Sequence, residues 1–301
     1  MNSFNLWEPK KQPDILGNAE SFGNIEWTYP EFIDNIYEPL RKKYPDYVSR
    51  RSIGFDTTNE YEMWAYEFTP KSYSKTVYLQ SGVHVIETDA YFGLGRLLTL
   101  ICEGRDERLS YIRNNVRLLV VPVVSVWGIS NKGSYEDIMG KGRWKIPHNS
   151  VLVNSNRDFA DKKVKETINV ANYVAKNAKD ICFTVDCHST TETGWGAYLL
   201  PYTNGMPDNL AKKLCYVNVS LYEKHTTDYP MAFMGEEVNY PRPGLVNTFI
   251  GGICEAFGIH GVTIEHNDYI YDDRLGTSLA MTLSVELIGN HLLQICEDDE
   301  F

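Results

Sequence analysis

His84 and Glu87 set an imidazole and a carboxylate three residues apart in the stretch Ser81-Gly82-Val83-His84-Val85-Ile86-Glu87-Thr88-Asp89. Side chains three apart within one turn lie on the same side, and these two types make half of a zinc site. In a chain with seven histidines a His-x-x-Glu pair also arises by chance, so its meaning depends on a third ligand. His188 supplies one, at the end of the apolar run Ile181-Cys-Phe-Thr-Val-Asp-Cys-His188. Strand alternation there puts Asp186 and His188 on one face and Cys187 on the other. A catalytic zinc takes three protein ligands and keeps one position for water, whose pKa it lowers toward neutrality. Glu265, closing Gly261-Val-Thr-Ile-Glu265, is the general base for that water. Arg143 lies in a glycine-rich segment, from which it would swing in to balance the charge of a tetrahedral intermediate. His266, next to Glu265, is a rival ligand. The cofactor expected is one Zn2+ per chain.

These residues need strands to deliver them. The run 76–81 reads as a buried strand, and 88–102 as a helix behind a Thr88/Asp89 cap signal. Upstream, Phe32, Ile33, Ile36, Tyr37 and Leu40 form a helical stripe within 28–44, and 51–56 and 61–68 form a hairpin pattern. A short helix over 106–114 precedes the β-branched run 117–125, a strand buried on both faces. From 127 to 150 the pattern stops, a loop length that is usually functional. Further helices are expected over 161–177, 208–223, 248–257 and 275–296, with strands over 181–188, 196–201 and 261–265. Strands alternate with helices and there is no internal repeat. The fold class is therefore α/β: a single domain over 1–301, with a mostly parallel mixed twisted sheet sandwiched between helices. Residues 1–27 form an irregular N-terminal wrap. In such sheets ligands sit beyond the carboxyl ends of strands, where His84, His188 and Glu265 all fall.

Hydrophobic residues make up 43% of the 301 and charged ones 23%, enough for a sizeable core. A formal charge of -11 argues against nucleic acid or an anionic membrane as partner. It favours a cationic or neutral substrate over an anionic one. The first thirty residues hold no apolar signal core and no run reaches membrane-spanning length. The six cysteines include no C-x-x-C pair, which points to reduced thiols. The expected location is cytoplasmic, with release or export by another route left open.

Five boxes of the sequence, in order, resemble the zinc metallocarboxypeptidases, the M14-type peptidases. Ser81-Gly-Val-His-Val-Ile-Glu87 is similar to their His-x-x-Glu box, and Val121-Pro-Val-Val-Ser-Val-Trp-Gly128 to the turn written V-P-x-x-N-P-D-G. Asn154-Ser-Asn-Arg-Asp-Phe159 resembles D-x-N-R-N-F. Thr184-Val-Asp-Cys-His-Ser189 and Val262-Thr-Ile-Glu265 resemble the strands carrying the third ligand and the catalytic glutamate. The resemblance implies the zinc-carboxypeptidase, phosphorylase/hydrolase-like fold, zinc on His84, Glu87 and His188, and Glu265 as base. It also implies that Asn156 and Arg157 grip the C-terminal carboxylate of a peptide, a task suited to a guanidinium fork. Asn154 stands where the family has an aspartate that orients a ligand histidine. Ser125-Val-Trp-Gly128 lacks the N-P-D of the usual turn, and Tyr240 is the nearest match to the family's mobile tyrosine.

Three activities follow from this reading. The first is a zinc-dependent metallocarboxypeptidase cleaving a C-terminal peptide bond. The second is an acyl-amino-acid amidohydrolase of the aspartoacylase or desuccinylase kind, which Asp186-Cys-His-Ser-Thr-Thr191 also suits. The third is a catalytically inactive binding module on the same fold. The partner is a peptide in the first case and an acyl-amino-acid substrate in the second.

Overall fold

A computed structural model describes residues 6–7, 27–84, 87–131, 145–148, 151–190, 198–202, 208–225, 248–267 and 277–298. Its first helix, α1, runs through Tyr29–Phe32, Ile33–Tyr37 and Glu38–Lys43, the middle piece being a π turn. Thr28 starts it with a reciprocal cap to Glu31, and the stripe Phe32, Ile33, Ile36, Tyr37 and Leu40 is buried, as its helical spacing requires. Strands β1 (Val48–Phe55) and β2 (Glu62–Phe68) pair as an antiparallel hairpin.

Then come β3 (Lys75–Ser81), helix α2 (Thr88–Glu103), helix α3 (Glu107–Asn115) and β4 (Val116–Val121). The apolar run predicted as strand to residue 125 ends its ladder at Val121, because the chain turns at Pro122 and enters a short helix, α4 (Val126–Ser130). The stretch without pattern holds that helix and a strand, β5 (Lys145–His148), which pairs antiparallel with β6 (Val151–Asn154). Helix α5 (Lys165–Asn177) begins four residues later than predicted. Asp158 accounts for the delay: its carboxylate accepts the N–H groups of Lys163 and Val164 and the hydroxyl of Thr167, tying 158–164 into a turn. The chain continues through β7 (Phe183–Thr190), β8 (Tyr198–Tyr202), α6 (Asp208–His225), α7 (Phe249–Phe257), β9 (His260–Asn267) and α8 (Thr277–Glu297).

Seven strands form one sheet in the order β1-β2-β4-β3-β7-β9-β8. The central β4, β3, β7 and β9 are mutually parallel, while β1, β2 and β8 add antiparallel edges. The central runs are apolar nearly throughout because both faces are covered: Val77, Leu79, Leu118, Val120, Val185 and Val262 are buried on one face, and Tyr78, Leu119 and Thr184 on the other. Helices α5 and α7 pack where Tyr78 meets Tyr173 and Thr184 meets Cys254. Helix α8 packs against both α2 and α6, and the three form the other layer. The mostly parallel mixed sheet between helices expected from the sequence is thus present. Cys102, Cys182, Cys187, Cys254 and Cys296 are free thiols. Trp7 docks on α8 through a two-way backbone pairing with the amide of Asn290. Leu6 and Trp27 also pack against the core, and the other residues of the expected N-terminal wrap lie outside the described residues. Among the described residues no helix is long and apolar enough to cross a membrane.

Candidate metal centre

The carboxyl ends of β3, β7 and β9 lie side by side, and the candidate residues project from them. At the end of β3 the chain reverses through Gly82 at φ +61°, a left-handed conformation that glycine alone adopts without strain. A Cβ on Gly82 would also come within 2.9 Å of a Val123 methyl. The reversal is fixed from the β4 side, where Val124 N–H donates to Ser81 O and Ser125 N–H to Gly82 O. The hydroxyls of Ser125 and Ser155 both reach Val83 O, at 2.7 and 3.1 Å. His84 follows immediately.

Glu87, and not the expected Thr88/Asp89 pair, is the N-cap residue of α2, yet its side chain makes no capping hydrogen bond. It turns into the site instead. Oε1 lies 2.7 Å from His84 Nδ1, and Oε2 accepts the Ser189 N–H at 3.1 Å. Oε2 is also 2.9 Å from His188 Nδ1. Asp89 is buried and accepts the Ser189 hydroxyl at 2.7 Å, so the start of α2 is locked to the end of β7.

His188 is fully buried, and its Nε2 sits 3.0 Å from Asp186 Oδ2. A carboxylate on Nε2 fixes the tautomer that carries its proton there and leaves the Nδ1 lone pair for a metal. Nδ1 has no hydrogen-bond partner among the described residues, although Glu87 and Glu265 both face it. The rings of His84 and His188 meet edge to face with centroids 4.9 Å apart. One donor atom from each of His84, Glu87 and His188 lies within 4.8 Å of the others. Two imidazoles, one carboxylate and an orphaned buried nitrogen aimed between them suit zinc.

Register places Glu265 directly across from His188 on the neighbouring parallel strand, with Oε1 3.9 Å from His188 Nδ1. Burial raises the pKa of the Glu265 carboxyl well above its ordinary value. His188 opposes that, Glu87 and Asp186 add to it, and Arg157 opposes it again. Glu87 goes the other way: burial would raise it, but His188 and His84 outweigh burial and bring it to about 2. Burial would lower His188, yet Asp186, Glu87 and Glu265 hold it well above the usual imidazole value. Three carboxylates around one imidazole make a pocket in which a dication is the natural counter-charge.

Asn156 and Arg157 sit on the 3-10 turn Ser155–Arg157, which the Asn154 side chain caps by accepting Asn156 N–H at 2.9 Å. Asn154 therefore holds this turn, while Asp186 serves as the carboxylate that orients a site histidine. Asn156 Oδ1 accepts Phe249 N–H at 3.1 Å, so its amide NH2 is directed away from α7. Arg157 is exposed, donates to Asn156 O at 3.0 Å, and lies near enough to Glu265 to act on its charge. Arg143, Tyr240 and the side chain of His266 lie outside the described residues. The hydroxyls of Ser125 and Ser155 and the backbone of Ser189 escape a reading of the sequence, since serines carry no distinguishing signal there. The Asp186–His188 pairing is visible in the strand alternation.

A family profile described as zinc carboxypeptidase matches residues 33–193. No match was found among curated proteins. The fold is similar to that of a metallo-carboxypeptidase from Burkholderia cenocepacia, with TM-score 0.65 and 13% identity over 89% of this chain and 69% of that one. It is also similar to carboxypeptidase A from Helicoverpa armigera, with TM-score 0.67 and 15% identity over 93% and 76%. A metallo-carboxypeptidase from Pseudomonas aeruginosa matches at TM-score 0.59 and 13% identity over 85% and 67%.

Proposed function

Because the chain belongs to the zinc carboxypeptidase family, whose members are zinc peptidases, we propose that it hydrolyses the C-terminal peptide bond of a peptide, with Glu265 as the general base. The observation that carries this reading is the meeting of His84, Glu87 and His188 beside the buried Glu265 carboxylate. His84, Glu87 and His188 would hold zinc, which supplies a Lewis acid for the scissile carbonyl and an acidified water. Asn156 and Arg157 bind the substrate's terminal carboxylate, Arg157 with its guanidinium fork and Asn156 with its amide NH2. That binding sets the last peptide bond against Glu265. A Glu265 carboxylate oxygen accepts the proton of the attacking water and then returns it to the departing amine nitrogen. Arg143, assigned from the sequence, balances the negative oxygen that develops on the carbonyl carbon.

The test is mass spectrometry of peptide digests with free and amidated C-termini. Release of single residues from the free C-terminus only supports the proposal. Release of succinate or acetate from acyl-amino acids, with peptides intact, would make the chain an amidohydrolase. Neither product, in a chain that carries zinc, would make it a binding module.

A further inference from the structure

Behind His188, away from the metal side of its ring, the sheet buries a column of polar side chains that the proposed chemistry does not use. Gln80 and Asp186 are both fully buried and are register partners on the adjacent parallel strands β3 and β7. Register partners in a sheet share a face, and alternation places Tyr78 and His188 on that same face. Tyr78 Oη donates to Gln80 Oε1 at 2.8 Å. Burial and, next, the charge of Asp186 hold the Tyr78 hydroxyl protonated and so able to donate. With its carbonyl end taken by Tyr78, the Gln80 amide must present its NH2 group elsewhere.

Two atoms in this column lack a hydrogen-bond partner among the described residues: Gln80 Nε2 and Asp186 Oδ1. One is a donor, the other an acceptor, and they belong to facing residues. Buried polar atoms are rarely left unpaired, and a complementary pair so placed is satisfied by one buried water.

We propose that Gln80 is a positioning residue for metal binding: its amide reaches Asp186 Oδ1 through one buried water, and thereby holds the carboxylate that orients His188. The inference rests on His188 being a metal ligand. Asp186 Oδ2 accepts from His188 Nε2 and Oδ1 accepts from the water that the Gln80 amide holds, so neither oxygen is free to rotate away. The imidazole is then fixed with Nδ1 toward His84 and Glu87. The full relay is Tyr78 to Gln80 to Asp186 to His188, and residues in such outer positions typically change metal affinity by about 10–100-fold.

Zinc affinity, read by competition with a chromophoric chelator, tests this without recourse to activity. The proteins are the wild type, Gln80→Met, Asp186→Asn, the double variant and His188→Ala, each with a thermal melt of the zinc-free form. Gln80→Met is expected to weaken zinc about tenfold. In the Asp186→Asn background it should add less than about twofold, because coupled residues act non-additively. Unchanged affinity in Gln80→Met, or the same loss with and without Asp186, would overturn the proposal while leaving the metal site standing. A wild type that binds no zinc, or a His188→Ala that binds it equally well, would remove the metal-site reading and this inference with it. If Gln80→Met does not fold, Gln80→Glu keeps the side-chain volume and the acceptor for Tyr78, and the same outcomes decide.

Discussion

His188 and Glu265 face each other at matching positions of β7 and β9, with His188 Nδ1 3.9 Å from Glu265 Oε1. A parallel register does this without any loop: two strands of equal reach put a candidate ligand and a candidate base at the same height on the same face. The separation is too long for a hydrogen bond, so the two groups act on each other through charge alone and leave room for what binds between them.

Replacing Glu265 with Gln keeps the shape and removes the proton acceptor. We expect kcat to fall by about 10²–10⁴-fold, the usual worth of a positioned general base, with zinc content unchanged and KM altered little. Single-turnover rates and metal analysis check this together. Unchanged kcat would remove Glu265 from the mechanism.

Glu87 divides its oxygens between the two histidines, Oε1 on His84 and Oε2 beside His188. Glu87→Gln keeps one oxygen and turns the other into a donor that faces an imidazole. Zinc affinity should fall by more than about 100-fold, beyond the range expected of residues that only orient ligands. Chelator competition reads the loss. A change under about tenfold would assign Glu87 to support and not to ligation.

The convergence of these residues is legible because His188 and Glu265 end runs with a strong pattern and His84 closely follows another. Val77 to Ser81, Val185 to His188 and Val262 to Glu265 are buried runs whose polar last residues have no reason to be apolar core. Their convergence then follows from parallel strands that end together. What the sequence concealed are contacts made across long chain separations. Nothing local marks Ser125 and Ser155 as donors to Val83 O, and nothing local explains why Glu87 leaves its own helix end bare. The start of α5 differs from its expected place for a local reason, the competition of a side chain with the backbone for the same N–H groups. Asp161-Lys162-Lys163 looks like a first helical turn, but Asp158 holds it as a loop in which Lys162 takes φ +50°.

The two serine hydroxyls on Val83 O fix the backbone that delivers His84, and each can substitute in part for the other. Ser125→Ala or Ser155→Ala alone should cost about 1 kcal/mol. The double variant leaves a buried carbonyl with no hydroxyl donor and should cost about 1–3 kcal/mol beyond the sum. Urea denaturation of the four proteins measures the coupling. Strict additivity would mean that the serines act independently.

Arg157 is exposed and donates only to the backbone carbonyl of Asn156 among the described residues, so its substitution should leave the fold and zinc content intact. If it grips a terminal carboxylate, Arg157→Ala should lower kcat/KM on free peptides by about 10–100-fold, the worth of a hydrogen-bonded charge. It should leave the low activity on amidated peptides unchanged. An equal loss on both substrates would show that Arg157 acts on Glu265 and not on the substrate carboxylate.

Glu38 gives the fold an acid-sensitive joint far from the site chemistry. Its carboxylate is nearly buried, accepts the Tyr66 hydroxyl at 2.7 Å, and pairs with Arg41 at 2.7 Å and Arg50 at 2.9 Å. Burial would raise its pKa, but Arg41, Tyr66 and Arg50 together bring it below the ordinary value. A carboxyl whose folded pKa is depressed contributes stability above its unfolded pKa, about 4.3. That contribution is lost as the pH falls through the folded value. At pH 7, Glu38→Gln should therefore be less stable than wild type by about 1.5–3 kcal/mol. The gap should close as the pH drops below about 4. Urea denaturation of both proteins across this range follows the gap directly. A difference that stayed constant with pH would mean that Glu38 joins α1 to the β1–β2 hairpin by shape and neutral hydrogen bonds, with its charge contributing nothing.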